Sequence, residues 1–434
     1  MLATLRNAWR VDDIKKKLLF MMFIVLLYRL GNAVTVPYVD TAMLSVYFQQ
    51  LNNTVLGLIN TMSGSALERA SIFALSIQPY INASIIMQLL TIAIPALERM
   101  RKEGGEEGKK KIEKITRYGT VSIAAIQGYA YYTLISRGDP MTGGSMLDPS
   151  ATGIWPAIVI VATFMTGSAL LMWMGEQITE FGIGNGISVI LFVSIVARFP
   201  TEVGQMITQT ITNPSNWWIY ALMMLGALAI VVLIVIVQNS ERRIPVQYSK
   251  RVVGRKMYGG QSTHLPMKVN MSGVLPVIFA KSIASIPATI VVFVPAWSDT
   301  WLMQVLDTTS IPYMILYFLL IVFFSYFYST VQFNPVEIAN NLKKNGGFIP
   351  GFRAGKPTSE FIQKVLTKIT LFGALYLAII AITPIIVSYF SETARMSGIA
   401  LGGTSIIIVV SVALETIKQL ESQLLMRHYK GFLE

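Results

Sequence analysis

The chain has 434 residues, of which 53% are hydrophobic and 13% charged, and its formal net charge is +12. It contains no cysteine, which excludes disulfides, thiolate nucleophiles and iron–sulfur clusters, and His264 and His428 alone are too few for a histidine-based metal centre. So apolar a chain with so large a positive charge reads as a membrane protein whose basic residues gather on one face, where they attract anionic lipid, RNA or acidic protein.

Ten apolar stretches follow one another along the chain. Most approach the roughly 20 residues that a helix needs to cross a hydrocarbon core about 30 Å thick. The first, 18–36, comes after Lys15, Lys16 and Lys17 and has the outline of a cleaved signal. Arg29 interrupts it and the run continues to Val36, so a first transmembrane helix is the better reading. Residues 54–69, TVLGLINTMSGSALER, are half-apolar, broken by Gly57 and Gly64, and too short to cross. They either lie at the interface or fold back into a cavity, where irregular backbone is tolerated.

Further spans are expected over 72–94, 118–135 and 154–174, and a shorter fifth over 183–197 that needs tilt or shelter from its neighbours. The sixth, 217–237, leads into a polar loop, 238–271, and the seventh and eighth cover 273–294 and 311–330. A second long loop, 331–367, carries Asn345-Gly346-Gly347 and Gly355-Lys356-Pro357, which are turn signals rather than helix interiors. Both loops exceed the usual connection of about 4 to 6 residues and are expected to project as docking structures. The last spans are 369–389 and 399–414.

Charge fixes the orientation. Of the 35 Lys and Arg residues, only Arg69, Arg137, Arg198 and Arg395 lie in loops of one side and Arg29 and Lys281 inside spans; all the others lie in the two tails and the loops 99–117, 242–268 and 343–368. Cytoplasmic loops are the basic ones, so both termini are expected in the cytosol. Five spans start and finish on opposite faces, so 1–200 and 201–434 are expected to be inverted halves with a passage at their interface. The expected fold class is an all-α polytopic membrane protein of ten transmembrane helices in two pseudo-symmetric halves, with a re-entrant segment and two long cytosolic loops.

No GxxxxGK[ST] loop is present and no Asp or Glu lies deep in a span, so neither nucleotide hydrolysis nor a proton relay is expected of the chain itself, nor any cofactor. An ion-coupled secondary transporter, which also uses inverted five-span halves, is the alternative, with Pro79 and Pro287 as candidate helix breaks. An intramembrane protease or transferase would need a Ser/His or paired-Asp constellation within the spans, and neither histidine lies in one.

Several long segments carry a resemblance. SIFALSIQPYINASIIMQLL (71–90), GEQITEFGIGNGIS (175–188), RRIPVQYSKRVVGRKMYGGQSTHLPMKVN (242–270), FNPVEIANNLKKNGGFIPGFRAGKPT (333–358) and GGTSIIIVV (402–410) are similar, in order and in topology, to the SecY family, central subunits of the Sec protein-translocation channel. The resemblance implies a protein-conducting channel in the bacterial plasma membrane that passes unfolded preproteins and releases hydrophobic segments sideways into the lipid bilayer. It places the pore ring on Ile77, Ile81, Ile187, Leu191, Ile278 and Ile408, all branched aliphatics. It makes 54–69 the plug, with Thr54, Gly57, Ile59, Met62, Gly64 and Leu67, and borders a lateral gate for signal sequences with spans two, three, seven and eight. Gln88 and Ser282 are polar near that seam, either as gate hydrogen bonds or as ordinary packing contacts.

By the same resemblance, SecA or the ribosome supplies the driving force and docks on Arg242, Arg243, Lys250, Arg251, Arg255 and Lys256 of one loop and Arg353 of the other, while the small subunits SecE and SecG complete the complex. Three residues depart from the family pattern. Ser76 stands where glycine is frequent, Gln78 occupies a commonly apolar position, and Lys281 lies three residues beyond Ile278 inside a span, from where its long stem is expected to carry the ammonium to water.

Overall fold

The computed structural model describes residues 2–50, 60, 63–138, 145–149, 151, 153–212, 214, 217–248, 251–253, 256–258, 262–287, 310–390 and 403–430. Helix α1 (Leu2–Arg10) leads into α2 (Asp12–Ala33), whose first turn carries Asp12 and Asp13, the charge sign that a helix N-terminus favours. Its 22 residues give a length of about 33 Å, enough to cross. The chain then passes through α3 (Thr41–Gln50).

The second span differs from its expected course. Helix was expected from residue 72, but α4 covers Gln78–Ala93, and 63–77 form successive turns. Ala70 and Ser76 have positive φ, which a helix cannot accommodate, and Thr35 pairs with Ser71 as an isolated bridge that ties this segment to the chain leaving α2. Pro79, in the first turn of α4, starts the helix rather than breaking it. At the other end Ile94 is extended, as the residue before a proline prefers, and α5 (Pro95–Glu103) leaves at a bend of 104°.

Helices α6 (Gly105–Arg137), α7 (Ile154–Phe181), α8 (Gly186–Thr212) and α9 (Trp217–Asn239) follow. The fifth span is thus 27 residues long, not short, and it continues through Pro200 past the expected junction of the halves at residue 200. Helix α10 (Leu275–Ala284) is the inner part of the seventh span, and the region 288–309 lies outside the described residues. Helices α11 (Ile311–Gln332), α13 (Lys356–Phe390) and α14 (Gly403–Lys430) supply the last three spans. By length and hydropathy six of these helices qualify as spans, and the bent α4–α5 pair makes a seventh, among the described residues.

The two long loops are not separate projections. Strand β1 (Glu241–Tyr248) pairs antiparallel with β4 (Ser262–Lys268) and, on its other edge, with β5 (Gly347–Phe348) of the second loop. Between them β2 (Arg251–Val253) and β3 (Lys256–Tyr258) form a small hairpin. The second loop also holds α12 (Pro335–Lys344), capped by the Asn334 side chain, which accepts from the amides of Val336 and Glu337. Asn334-Pro335 is thus a cap followed by a proline in the first helical turn. Ile244, Val246, Met267, Leu342, Ile349 and Ile362 form a shared core, so the alternation along β1 buries one face of a polar sequence.

Candidate functional site

The largest apolar cluster lies where α4, α8, α10 and α14 meet. Ile77 caps α4 and Ile81 follows one turn later; Ile187 and Leu191 stand one turn apart on α8; Ile278 comes from α10 and Ile408 from α14. Five of the six side chains are buried, Ile77 and Ile408 to 1% exposure, and Ile187 packs half-buried at the margin. The structure therefore brings all six expected ring residues into one cluster drawn from both sets of spans.

A cavity of about 350 Å³ opens on one side of this cluster. Leu191, Ile278 and Ile408 line it together with Asn185, Ser188, Gln238, Asn270 and Lys418. The GIGNG run explains the polar wall. Asn185 Oδ1 accepts from the amides of Ile187 and Ser188 at 3.1 and 3.3 Å, which caps α8 beside the cavity. A Cβ on Gly186 would sit 1.9 Å from the Gly175 carbonyl, so only glycine lets α8 turn back so tightly on α7. From the other side of the cavity, Gln238 on α9 donates to Ser411 on α14 at 2.8 Å.

Along the line where α4 faces α10 and α11, polar contacts are few and specific. Gln78 Nε2 reaches Ser282 Oγ on α10 at 3.4 Å, and Tyr328 on α11 donates its hydroxyl to Gln88 Oε1 at 2.5 Å. Gln88 and Ser282 thus both bond across this seam, though to other partners than each other. Tyr328 was not singled out in the sequence, because in the aromatic run FFSYFYST it reads as packing; its ring does pack, against Phe279 with centroids 5.2 Å apart. Gln78, an oddity in sequence, gains a partner.

Other expected residues fare differently. Lys281, expected to carry its ammonium to a watery funnel or interface, is 7% exposed on α10, which packs against α4, α11 and α13. Of the expected plug residues, Thr54, Gly57, Ile59 and Met62 lie outside the described residues. Gly64 and Leu67 are packed among α2, α6 and α8, where the Leu67 carbonyl accepts from Tyr131. Of the basic loop residues, Arg242 and Arg243 are exposed on β1, with Arg243 bonded to Glu241 at 2.7 Å. Arg251 and Lys256 belong to the β2–β3 hairpin, and Lys250 and Arg255 lie outside the described residues. Arg353 is exposed on the turn between β5 and α13, anchored where its carbonyl accepts from Thr358 Oγ1 at 2.8 Å and where Phe352 stacks on Phe361.

The described helices enclose a polar cavity beside an apolar cluster, the layout of a polytopic membrane protein with a candidate passage. The SecY family profile matches residues 71–417. "Protein translocase subunit SecY" of Streptomyces coelicolor is 45% identical over 443 residues, covering 100% of both chains, and the proteins of that name from Corynebacterium glutamicum and Mycobacterium tuberculosis are 43% and 41% identical. A solved protein-conducting channel superposes with a TM-score of 0.65 at 16% identity, covering 94% of this chain and 92% of that one. The Sec61 channel of a canine ribosome complex gives 0.62 at 14%, over the same shares. The chain belongs to the SecY family.

Proposed function

We propose that this chain is the channel-forming subunit of a bacterial plasma-membrane protein translocase, with both termini in the cytosol. Unfolded preproteins enter the cavity beside α8 and α14 and thread the waist formed by Ile77, Ile81, Ile187, Leu191, Ile278 and Ile408. Signal sequences and hydrophobic segments leave sideways between α4 and the α10–α11 pair. One observation carries this reading: six branched aliphatics from both sets of spans gather in one cluster, and three of them, Leu191, Ile278 and Ile408, line a polar, partly basic cavity. Apolar walls cannot replace an ion's hydration shell, and a narrow apolar waist dewets, so such a waist blocks ions while flexible side chains still close around a passing chain.

Residues 54–69 act as the plug on the outer side of the waist. The two halves join between Thr212 and Trp217, where α8 ends and α9 begins. SecE clamps the halves and SecG completes the heterotrimer. SecA or the ribosome docks on the joint subdomain of the two loops, with Arg353 as the leading contact, since a guanidinium suits a bidentate grip on carboxylate or RNA phosphate. Vesicles containing the heterotrimer should take up a preprotein into a protease-protected space when SecA and ATP are supplied. No uptake, with substrate-coupled proton flux in its place, would favour the secondary transporter instead.

A further inference from the structure

On the far side of the aliphatic cluster from the cavity, the residue types change. The cavity touches Leu191 on α8, Ile278 on α10 and Ile408 on α14, and it reaches no further along these three helices. About one turn beyond those residues stand Ser194 on α8, Lys281 on α10, and Thr404 and Ser405 on α14, all of them buried. Lys281 is the one charge among them. On the helical wheel it lies about 60° from Ile278 and about 160° from Phe279. Phe279 packs on Phe324 and Tyr328 of α11, and Ser282 meets Gln78 of α4, so Lys281 stands on the other side of Ile278 from both contacts. It forms no ion pair among the described residues. The next charges along α8, Arg198 and Glu202, bond to each other at 3.0 Å, and Glu68 is held by Asn60 Nδ2 at 2.8 Å.

A buried charge without a partner costs stability, and packing alone would be served as well by leucine or methionine. The cation therefore has a use. Beside a narrow apolar neck its field is poorly screened, because water and salt are thin there, and a fixed Lys or Arg at such a place favours anions over cations. We propose that Lys281 is the charge filter of the passage: one fixed cation, a turn beyond Ile278, that favours chloride over potassium among leaking ions and Asp- or Glu-rich stretches over Lys- or Arg-rich ones in a passing chain. This deepens the channel reading and rests on the six aliphatics being its waist.

The test uses the heterotrimer in planar bilayers under a potassium chloride gradient, with the leak opened by Ile81→Gly and Ile408→Gly. In that background the reversal potential should report a preference for chloride, and Lys281→Met, which keeps the length of the stem, should lower the chloride-to-potassium permeability ratio about tenfold. Lys281→Arg should keep the preference and Lys281→Glu should invert it, an order of sign that a packing role does not give. A leak whose ratio is the same in Lys281→Met sinks the filter and leaves the waist standing. No leak at all in the two-glycine background sinks the waist, and the filter with it. A second readout uses the channel with its waist intact: of two preproteins of equal length, the one with a Glu-rich stretch should be taken up faster than the one with a Lys-rich stretch, and Lys281→Met should narrow the gap. A gap as wide as in the parent overturns the filter for the passing chain.

Discussion

The proposed waist and the proposed lateral seam share one helix, α4, yet they are held by opposite means. At the waist Ile77 and Ile81 meet Leu191, Ile278 and Ile408 in contacts that are all dispersion and burial, with no direction and no donor to satisfy. Facing α10 and α11, the same helix uses two polar bonds, Gln78 to Ser282 and Tyr328 to Gln88. In the proposed channel such non-directional contacts would reseal after a chain has passed, because no bond must be found again. There the two directional bonds would hold the seam, but neither contributes more than about 1 kcal/mol, so the seam would part when a more apolar segment offers itself.

The largest effect should come from the waist. Ile81→Gly combined with Ile408→Gly removes two side chains that are 6% and 1% exposed, and resting ion conductance in planar bilayers should rise more than tenfold. Conductance equal to that of the parent would mean that these residues are ordinary packing. Next in size, Arg353→Glu should cut SecA-driven export about tenfold, a loss of roughly 1.4 kcal/mol in docking, while resting leak and ribosome-driven membrane insertion stay unchanged. Leak that rose along with the export defect would show that the subdomain of the two loops acts on the proposed waist, and the two regions would no longer be independent.

How much of this was legible in the sequence depends on the kind of signal. Spans with long apolar runs were readable because burial in lipid demands composition alone; α9 matched its expected 217–237 to within two residues. The late start of α4 was not, since positive φ at Ala70 and Ser76 is imposed by docking against α2 and α7 rather than by residue type. The joint subdomain was missed because its sheet pairs β1 with β5, about a hundred residues away, and Ile244 and Val246 share their core with Leu342, Ile349 and Ile362, which are as distant. Ring residues came through resemblance; an isoleucine in a span carries no mark of its own.

At the seam the two bonds differ in length, and that sets a smaller, ordered pair of effects. Tyr328→Phe removes the 2.5 Å bond and should shift the seam toward opening about fivefold; Gln78→Leu removes the 3.4 Å contact and should shift it less than twofold. The readout is the hydrophobicity a test segment needs in order to exit into lipid: the threshold should drop in both variants, more in the first. The reverse order, or thresholds that rise, would break the picture of a polar seam that is weaker than the waist.

The smallest effect tests the junction of the two regions, the turn just before α4. Ser76 sits at φ 53°, a left-handed conformation that costs a side-chain-bearing residue roughly 1–2 kcal/mol, and its buried hydroxyl has no partner among the described residues. Glycine adopts that conformation freely but makes the unfolded chain more flexible, which offsets part of the gain. Ser76→Gly should therefore stabilise the protein by about 1 kcal/mol in thermal unfolding of the detergent-solubilised heterotrimer, with resting leak and seam threshold both unchanged. Because Ile77 is the next residue and Gln78 the one after, a shift in either channel property would mean that strain at Ser76 is transmitted into α4. Waist and seam would then move as one body rather than as a sealed ring beside a door that opens on its own.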